Sequence, residues 1–400
     1  MSNVVASRPV RDDGLASSCV LQVGATARPV TIRLIPLSPS SPARPIVARA
    51  FASDLTPFRA SRGTNASDVK ARVTLVAALF GLVAFSLLAL CAGRYPLTPD
   101  DVVRVLWRHT TGSVAANTAD AIVWQIRLPR IGVAMLVGAA LASAGTAYQH
   151  LFRNPLVAPD TLGVSSGAAL GAVLGIFLGA GFLVIESAAF VGGLAGVGAV
   201  MIIAARLRAH DPIVTLILTG IVVASLLGAA ISILKYLADP YNELPAITFW
   251  LMGSFASSSP AEATSLLPAV ALALVVLFAL AWRINVLALA EDEARALGID
   301  AKRLRAVVVA AATLATAGSV AVSGIIGWVG LVVPHMARLV VGPEFSRLLP
   351  VAAIFGAAFM LLIDTIARTI APIELPPGIL TAVVGTPVFI ALLARTRRVF

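Results

Sequence analysis

The first residues in this chain that could do chemistry are an acid and a base inside an apolar run. Asp364 and Arg368 lie four residues apart, a spacing that lets two side chains meet on one face of a helix. Ionisable groups in such a run are costly to bury and are functional candidates by default. Two interpretations stay open: a self-neutralised ion pair near a helix end, or one member of a proton relay.

A second candidate is a serine between two glycines. Gly163 to Gly167 (GVSSG) matches the GxSxG pattern, in which a nucleophilic serine sits on a turn between a strand and a helix. Here the pattern follows Pro159 and Asp160 and opens an apolar run, with no strand-like segment before it. We therefore predict no hydrolase site at this serine.

The apparatus for using ATP or holding a metal is not evident in the sequence. Its three lysines, Lys70, Lys235 and Lys302, do not follow a glycine, so the phosphate-binding GxxxxGK[ST] loop is missing. There is no HExxH pair, and the four histidines are scattered. We predict that the chain is not an enzyme and binds no cofactor or metal itself.

The composition indicates a membrane protein. Hydrophobic residues make up 58% of the 400 residues, charged ones only 12%, and the mean hydropathy is +0.93, whereas soluble proteins carry about 25% charged residues. The formal charge of +10 could suggest a nucleic-acid partner, but the arginines fall mostly in the N-terminal segment and between apolar runs. That distribution is typical of membrane topology, so we expect no nucleic-acid partner.

Residues 1–70 differ from the rest, being rich in Ser, Ala, Pro and Arg. We predict a disordered basic tail, followed by a transmembrane permease domain over residues 71–400. The basic residues favour the cytoplasmic side and anionic membrane lipid. An organellar transit peptide or a misassigned start codon would give a similar composition, and both alternatives stay open.

Nine apolar runs are long enough to cross about 30 Å of hydrocarbon. They lie near residues 72–92, 130–150, 161–182, 188–206, 213–237, 262–282, 305–325, 347–369 and 378–395. A tenth, 328–341, is short and interrupted by polar residues, so it is tolerated only if buried among other helices. The predicted fold is an all-α polytopic membrane protein with about ten transmembrane helices and both termini on one side.

The arginines and lysines between these runs indicate the orientation. With the tail inside, the inner loops and C-terminus carry thirteen basic residues, from Arg153 through Arg206, Arg283 and Arg338 to Arg398, against seven in the outer loops. An excess of Lys and Arg marks the cytoplasmic side. We predict cytoplasmic N- and C-termini in a bacterial inner membrane.

The longest charged interruption, Arg283 to Arg305, then lies in the cytoplasm. Glu291, Asp292 and Glu293 suit the first turn of a short helix, and Gly298 suits its left-handed C-terminal cap. About two turns are not stable alone in water. The segment is thus either held by the neighbouring spans and a partner protein, or is an ordinary solvated loop helix.

Three further patterns concern local structure. In the outer segment 94–126, Thr98 is expected to cap a short helix with Asp101 three residues on. The outer segment 239–260 is expected to form an aromatic belt or a re-entrant piece. In the third run, glycines recur every four residues at Gly163, Gly167, Gly171, Gly175 and Gly179, which favours close helix packing.

Two series of motifs are more specific. The first comprises Arg127-Leu128-Pro129-Arg130, Val137-Gly138-Ala139-Ala140-Leu141-Ala142 and Arg153-Asn154-Pro155-Leu156. The second comprises Trp250-Leu251-Met252-Gly253-Ser254, Ala296-Leu297-Gly298, Gly330 to Arg338 (GLVVPHMAR) and Glu374-Leu375-Pro376-Pro377-Gly378. In this order, and over about residues 72–398, they resemble the type II importer permeases, the membrane subunits of iron-siderophore and vitamin B12 ABC importers.

The resemblance implies a ten-helix subunit paired with a second permease subunit, a homodimer or a paralogue, around a central path. Cytoplasmic ABC ATPase subunits would use the ATP, and a periplasmic or lipid-anchored binding protein would deliver the ligand. The residues implied in ATPase coupling are Glu291, Glu293, Ala294, Arg295, Leu297 and Gly298. Asn154 and Leu156 correspond to the inner gate, and Arg127, Arg130 and Arg368 to binding-protein docking.

The chain departs from the family pattern at Ala144-Gly145 and Trp328, and a second gate pair near His210 is not alignable. We predict a permease for a ferric siderophore, with cobalamin or haem as the alternative cargo. An ion-coupled secondary transporter, which would need further carboxylates at mid-membrane, is the competing class. Uptake without a partner ATPase would favour that class.

Overall fold

The computed structural model describes residues 18–21, 30–33, 63–93, 95–111, 117–207, 212–287 and 291–396. The chain divides into two units, residues 1–60 and 61–400. In the first, β1 (Ser18–Leu21) pairs with β2 (Val30–Arg33) in antiparallel register. These eight residues depart from the predicted disorder, because their Val, Ile and Thr favour strands. Residues 63–70, also predicted to be disordered, form the first turns of the helix Gly63–Cys91, since this segment continues directly into the first apolar span. For the rest of residues 1–62, disorder stays a prediction outside the described residues.

The described part of the second unit consists of helices and turns. The helices before the long charged segment are α1 (Gly63–Cys91), α2 (Pro99–Thr110), α3 (Thr118–Ala121), α4 (Leu128–Leu151), α5 (Val164–Phe177), α6 (Phe182–Leu207), α7 (Pro212–Leu237), α8 (Glu243–Leu251) and α9 (Pro260–Ala279). Those in and after it are α10 (Ala281–Val286), α11 (Glu291–Ala296), α12 (Ala301–Ser323), α13 (Val329–Val341), α14 (Phe345–Thr369) and α15 (Pro377–Thr396). A π-helical turn, Ile122–Arg127, joins α3 to α4, and a 3₁₀ turn, Pro159–Leu162, precedes α5.

All ten predicted membrane segments are helical. Seven helices among the described residues, in α1, α4, α6, α7, α9, α12 and α14, are long and apolar enough to cross a membrane. The apolar parts of α5, α13 and α15 are shorter. The prediction of an all-α polytopic membrane fold is confirmed.

The third predicted segment, 161–182, is shorter in the structure than the sequence suggested. Helix α5 has 14 residues, about 21 Å at 1.5 Å per residue. Gly163 (φ 75°) and Gly179 (φ 64°) adopt the left-handed conformation at its two ends. These two glycines therefore terminate the helix instead of extending its packing ridge.

The three remaining glycines of that ridge pack as predicted. A Cβ added at Gly167 would lie 2.3 Å from the carbonyl oxygen of Gly192, and one at Gly171 would lie 2.0 Å from that of Ala188. Both carbonyl oxygens belong to α6, so the backbones of α5 and α6 are in direct contact. This is the close packing that small residues at four-residue spacing permit in membranes.

The centre of the molecule is formed by α4 and α12. In their spans, 78% and 72% of the most apolar stretch is buried, against 17% for α1 and α7. Helix α4 approaches α14 where Gly138 meets Gly356, and α13 where Gly145 meets Gly330. The short helix α13 is buried along most of its length, as its polar interruptions required.

On the predicted outer side, α2 has the expected cap. Thr98 Oγ1 accepts a hydrogen bond from the Asp101 amide at 3.2 Å, and Asp101 Oδ2 accepts one from the Thr98 amide at 3.1 Å. Hydrogen bonds from Thr98 lower the pKa of the Asp101 carboxyl, because they stabilise its charged form. In the second outer segment, the predicted aromatic pair Phe249 and Trp250 lies at the end of α8.

Candidate functional site

The charged segment contains a short helix with the predicted cap. Helix α11 spans Glu291–Ala296, and Gly298 follows it with φ 76°. The Gly298 amide donates to the Arg295 carbonyl at 2.9 Å, and the Ile299 amide donates to the Ala294 carbonyl at 3.1 Å. This pair of bonds is the Schellman motif, which ends helices at a left-handed glycine.

Helix α11 is anchored on one face and exposed on the other. Ala294 is 1% exposed and Ile299 is 8% exposed, and both belong to the main hydrophobic core. Leu297, in contrast, is 54% exposed, and Glu293 and Arg295 are also at the surface. Ala294 therefore packs inward, whereas Glu293, Arg295, Leu297 and Gly298 lie at the surface; the Glu291 side chain is outside the described residues. The coupling role of these six residues stays a prediction.

A groove of about 400 Å³ runs beside this helix. Leu297 and Gly298 form one wall, and the ends of α10 and α12 contribute Trp282 and Val307. Trp282 is an exposed large aromatic side chain. The groove next to α11 is thus lined by apolar side chains together with the charged residues Arg283, Asp300 and Arg303.

The predicted gate residues lie on the turn that follows α4. The Asn154 side chain accepts a hydrogen bond from the Leu156 amide at 2.9 Å, and the Asn154 amide donates to the Gln149 carbonyl at 3.2 Å. Leu156 projects outward and is 54% exposed. The turn is therefore ordered by its own hydrogen bonds while presenting an aliphatic side chain. Residues 208–211, near the second gate pair, are outside the described residues.

The three arginines predicted to dock a binding protein are buried. Arg130 contacts Asp364 at 2.9 Å and Glu374 at 3.0 Å, and Arg368 contacts Asp364 at 3.0 Å. Arg127 donates to the backbone carbonyls of Leu90 and Tyr95. We name Arg127, Arg130, Asp364, Arg368 and Glu374 the outer ion network.

This network joins three helices at their predicted outer ends. Arg130 lies on α4, Asp364 and Arg368 lie on α14, and Arg368 also donates to the Ala92 carbonyl after α1 at 3.2 Å. Asp364 is fully buried and is held between two guanidinium groups. Of the two interpretations of Asp364 and Arg368, the geometry matches an ion pair, because a relay carboxyl must be reachable by water or another proton carrier.

The docking role of the three arginines stays a prediction. Arg130 is paired with Asp364 and Glu374, and Arg368 is paired with Asp364, although the buried Nη2 of Arg368 has no hydrogen-bond partner among the described residues. Docking through Arg130 or Arg368 would require acidic groups of a partner to compete with Asp364 and Glu374. Charge reversal at Arg130 would also break a buried ion pair, which destabilises the fold itself. Loss of docking in such a variant would therefore not show that Arg130 contacts the binding protein, because the fold is disturbed as well.

The serine of the GxSxG pattern has a structural partner. Ser165 lies in the first turn of α5 and donates a hydrogen bond to the Asp160 carboxylate. A 3₁₀ turn precedes this helix, where a nucleophile elbow would have a strand. The described residues thus offer no hydrolase geometry at this serine.

Comparison with known proteins agrees with this architecture. The model of the FecCD transport family matches residues 81–395, which include the turn after α4, helix α11 and the outer ion network. The chain belongs to the FecCD transport family. The resemblance to type II importer permeases is thereby confirmed.

Similar proteins are named for several different cargoes. The molybdate import system permease of Haemophilus influenzae is 38% identical over 324 residues, covering 80% of this chain and 96% of that protein. The cobalamin import system permease of Halobacterium salinarum is 44% identical over 278 residues, covering 69% and 74%. Others, at 40% and 39% identity, are named for iron chelatin in Helicobacter pylori and hemin in Yersinia pestis.

A solved structure shares the fold. It is described as an inward-facing conformation of an ABC transporter assigned to the metal-chelate type. The TM-score is 0.73 at 36% identity, and the match covers 80% of this chain and 98% of that one. The chain is therefore a multi-pass membrane permease of the ABC importer type.

Contacts between residues far apart in the chain are not evident from the sequence. Glu374 pairs with Arg130, which is 244 residues away. Asn285, on α10, accepts a hydrogen bond from the Phe345 amide at 2.7 Å and so caps α14. A signal existed for Glu374, since its motif occurs in the family, but none indicated its partner.

Proposed function

We propose that this chain is the membrane permease subunit of an ABC importer that moves a ferric siderophore across a bacterial inner membrane. ATP is hydrolysed by separate cytoplasmic ATPase subunits that bind helix α11. A periplasmic or lipid-anchored binding protein delivers the cargo, and a second permease subunit completes the path. Both termini lie in the cytoplasm.

The observation that carries this proposal is the construction of α11. A helix of six residues is too short to be stable on its own in water, yet this one is capped by a Schellman motif and anchored by Ala294 and Ile299. Its other face presents the exposed Leu297 beside a groove of mixed apolar and charged lining. Such a helix is suited to receive a partner and to pass a displacement into the spans on either side.

The cargo assignment is supported by relatives named for iron-containing ligands. The iron chelatin permease of Helicobacter pylori is 40% identical to this chain, and the hemin permease of Yersinia pestis is 39% identical. A siderophore likewise encloses its iron in organic ligands, and the motif series of this chain resembles that of iron-siderophore permeases.

The coupling assignment predicts a selective loss of ATPase binding. We expect Leu297→Glu to reduce co-purification of the ATPase at least about tenfold, because it places a charge in an apolar contact. Leu207→Glu is the matched control, since Leu207 is an exposed leucine at the end of another span. The measurement is the ATPase-to-permease ratio after purification in detergent. Equal ATPase-to-permease ratios for the two variants would contradict the prediction that α11 binds the ATPase.

The cargo is tested by uptake in cells that lack their own importers for these ligands. The permease is expressed together with an ABC ATPase and a binding protein from the same organism. The cells are offered radioiron-labelled hydroxamate siderophore, labelled cobalamin, hemin or molybdate. We expect accumulation of the ferric siderophore, lost when the ATPase carries a Walker A lysine substitution. Accumulation of another ligand instead would contradict the assignment of a ferric siderophore as cargo. Uptake that persists with the substituted ATPase would contradict the assignment as an ABC importer.

A further inference from the structure

Residues 152–157, which carry the predicted gate residues, are called the gate turn here. The side chain of Arg153 joins this turn to the segment that leads to α11. Arg153, the residue before Asn154, donates from Nε and from one terminal nitrogen to the Leu287 carbonyl, at 3.1 Å and 2.6 Å. The two residues are 134 positions apart. Two donors on a single acceptor fix the guanidinium against this carbonyl, and charge-assisted bonds of this kind are stronger than neutral ones.

The carbonyl of Leu287, which accepts these bonds, lies at the end of α10 that leads to α11. Leu287 is the C-cap of α10, and the last carbonyls of a helix have no partner within it. A cation at that end also complements the helix dipole. Glu291, the first residue of α11, follows four residues later, so it lies within about 14 Å of Leu287 even for a fully extended chain.

The donor is held in an unusual backbone conformation. Arg153 has φ 49°, in the left-handed region, where glycine is normally favoured over residues with a side chain. Its amide donates to the His150 carbonyl at 3.3 Å, and the next amide donates to the Gln149 carbonyl at 3.2 Å, so Arg153 occupies the glycine position of a Schellman motif. An arginine in this backbone conformation is less favourable than a glycine. The two hydrogen bonds from its side chain to the Leu287 carbonyl offset that cost.

Helix α10 is also fixed on its other side. Asn285 accepts from the Phe345 amide at 2.7 Å and donates to the Ser346 hydroxyl at 2.9 Å, both at the start of α14. Ala281 and Ile284 are buried beneath it. Helix α10 is thus a short rigid piece with three attachments: to α14, to the turn after α4, and through the chain to α11.

We infer that Arg153 is a positioning residue that transmits displacement of α11, through α10, to the gate residues Asn154 and Leu156. The inference rests on the proposed function, because ATPase binding at α11 supplies the displacement. When α10 shifts, the Leu287 carbonyl draws the Arg153 guanidinium with it, and the gate turn follows. The gate then responds to the ATPase without any contact between the ATPase and the gate itself.

The test uses the permease assembled with its ATPase in lipid nanodiscs. A cysteine replaces Leu156 in a Cys19→Ser, Cys91→Ala background and carries a polarity-sensitive fluorophore. ATP with vanadate is the probe, and the emission change at position 156 is the readout, together with the ATP hydrolysis rate before vanadate. We compare Arg153→Gly, Arg153→Lys and Arg206→Ala, the last removing an exposed arginine from the end of α6.

Arg153→Gly is informative because glycine suits the left-handed backbone at this position, so the turn keeps its fold while the connection is lost. We expect the emission change to fall at least about fivefold, the lower end of ordinary coupling factors, with ATP hydrolysis unchanged. Arg153→Lys, which keeps one donor, should restore part of the change, and Arg206→Ala should behave as wild type.

Two results would overturn the inference. One is a full emission change in Arg153→Gly. The other is loss of ATPase assembly together with the emission change, since Arg153 would then support the docking site instead of transmitting from it. Failure of the wild-type chain to assemble with the ATPase is a separate result, which rejects the proposed function.

Discussion

Gly145→Ala should separate α4 from α13 and destabilise the folded permease by about 3 kcal/mol, the upper part of the usual range for overpacking. A Cβ at Gly145 would lie 1.9 Å from the Gly330 carbonyl oxygen and 2.6 Å from the Gly330 Cα. These are backbone atoms, which have no alternative rotamer to adopt. Relief would require one helix to move away from the other, with loss of packing along both.

The matched control lies in the same helix. Gly132 has nothing within 4 Å of its added Cβ, so Gly132→Ala should be neutral or slightly stabilising, because alanine favours the helix. Thermal unfolding of the purified variants in one detergent measures both. Equal melting temperatures for Gly145→Ala and Gly132→Ala would show that α4 and α13 do not touch at this point.

The second large effect is expected at the outer ion network. Asp364→Asn leaves Arg130 and Arg368 buried without the carboxylate between them, and removing one partner of a buried pair typically costs about 3–5 kcal/mol. The exposed pair Asp100–Arg104 is the control, because Asp100→Asn should change the unfolding free energy by about 1 kcal/mol or less. Unfolding midpoints under identical conditions compare the two.

A compensated variant separates stability from function. Replacing the paired groups together, as Arg130→Met, Asp364→Leu, Arg368→Met and Glu374→Gln, removes all four paired charges and should recover much of the stability. If this variant folds and still binds the binding protein at wild-type affinity, the predicted docking role of Arg130 and Arg368 is wrong. If it folds and binding is lost, the arginines contribute contacts beyond their structural pairing.

Several features followed from local sequence alone. The helical character of the ten apolar segments follows from hydropathy, since backbone groups in a membrane must be satisfied within the segment. The left-handed cap at Gly298 and the capping box at Thr98 follow from rules that involve neighbouring residues only. These predictions agree with the structure because the interactions concerned lie within one or two helical turns.

Other features were predicted by type but not by position. The glycine pattern in α5 indicated close packing, yet Gly163 and Gly179 end the helix instead of extending the ridge. A four-residue spacing marks glycines on one face, but does not tell which of them adopt positive φ. Similarly, the predicted coupling residues do not all have the same exposure, since Ala294 faces the core whereas Leu297 is exposed. The side of a short helix that is buried depends on what packs beneath it.

The sequence by itself determined that this chain is a ten-segment membrane permease with a capped helix in its charged segment, because hydropathy, helix caps and motif order are properties of neighbouring residues. Only the tertiary structure decided that Arg130 pairs with Asp364, 234 residues away, and that Arg153 holds the end of α10. Such contacts depend on how far each helix slides and rotates against the next. That register is set by the whole packed bundle, and by no single stretch of sequence.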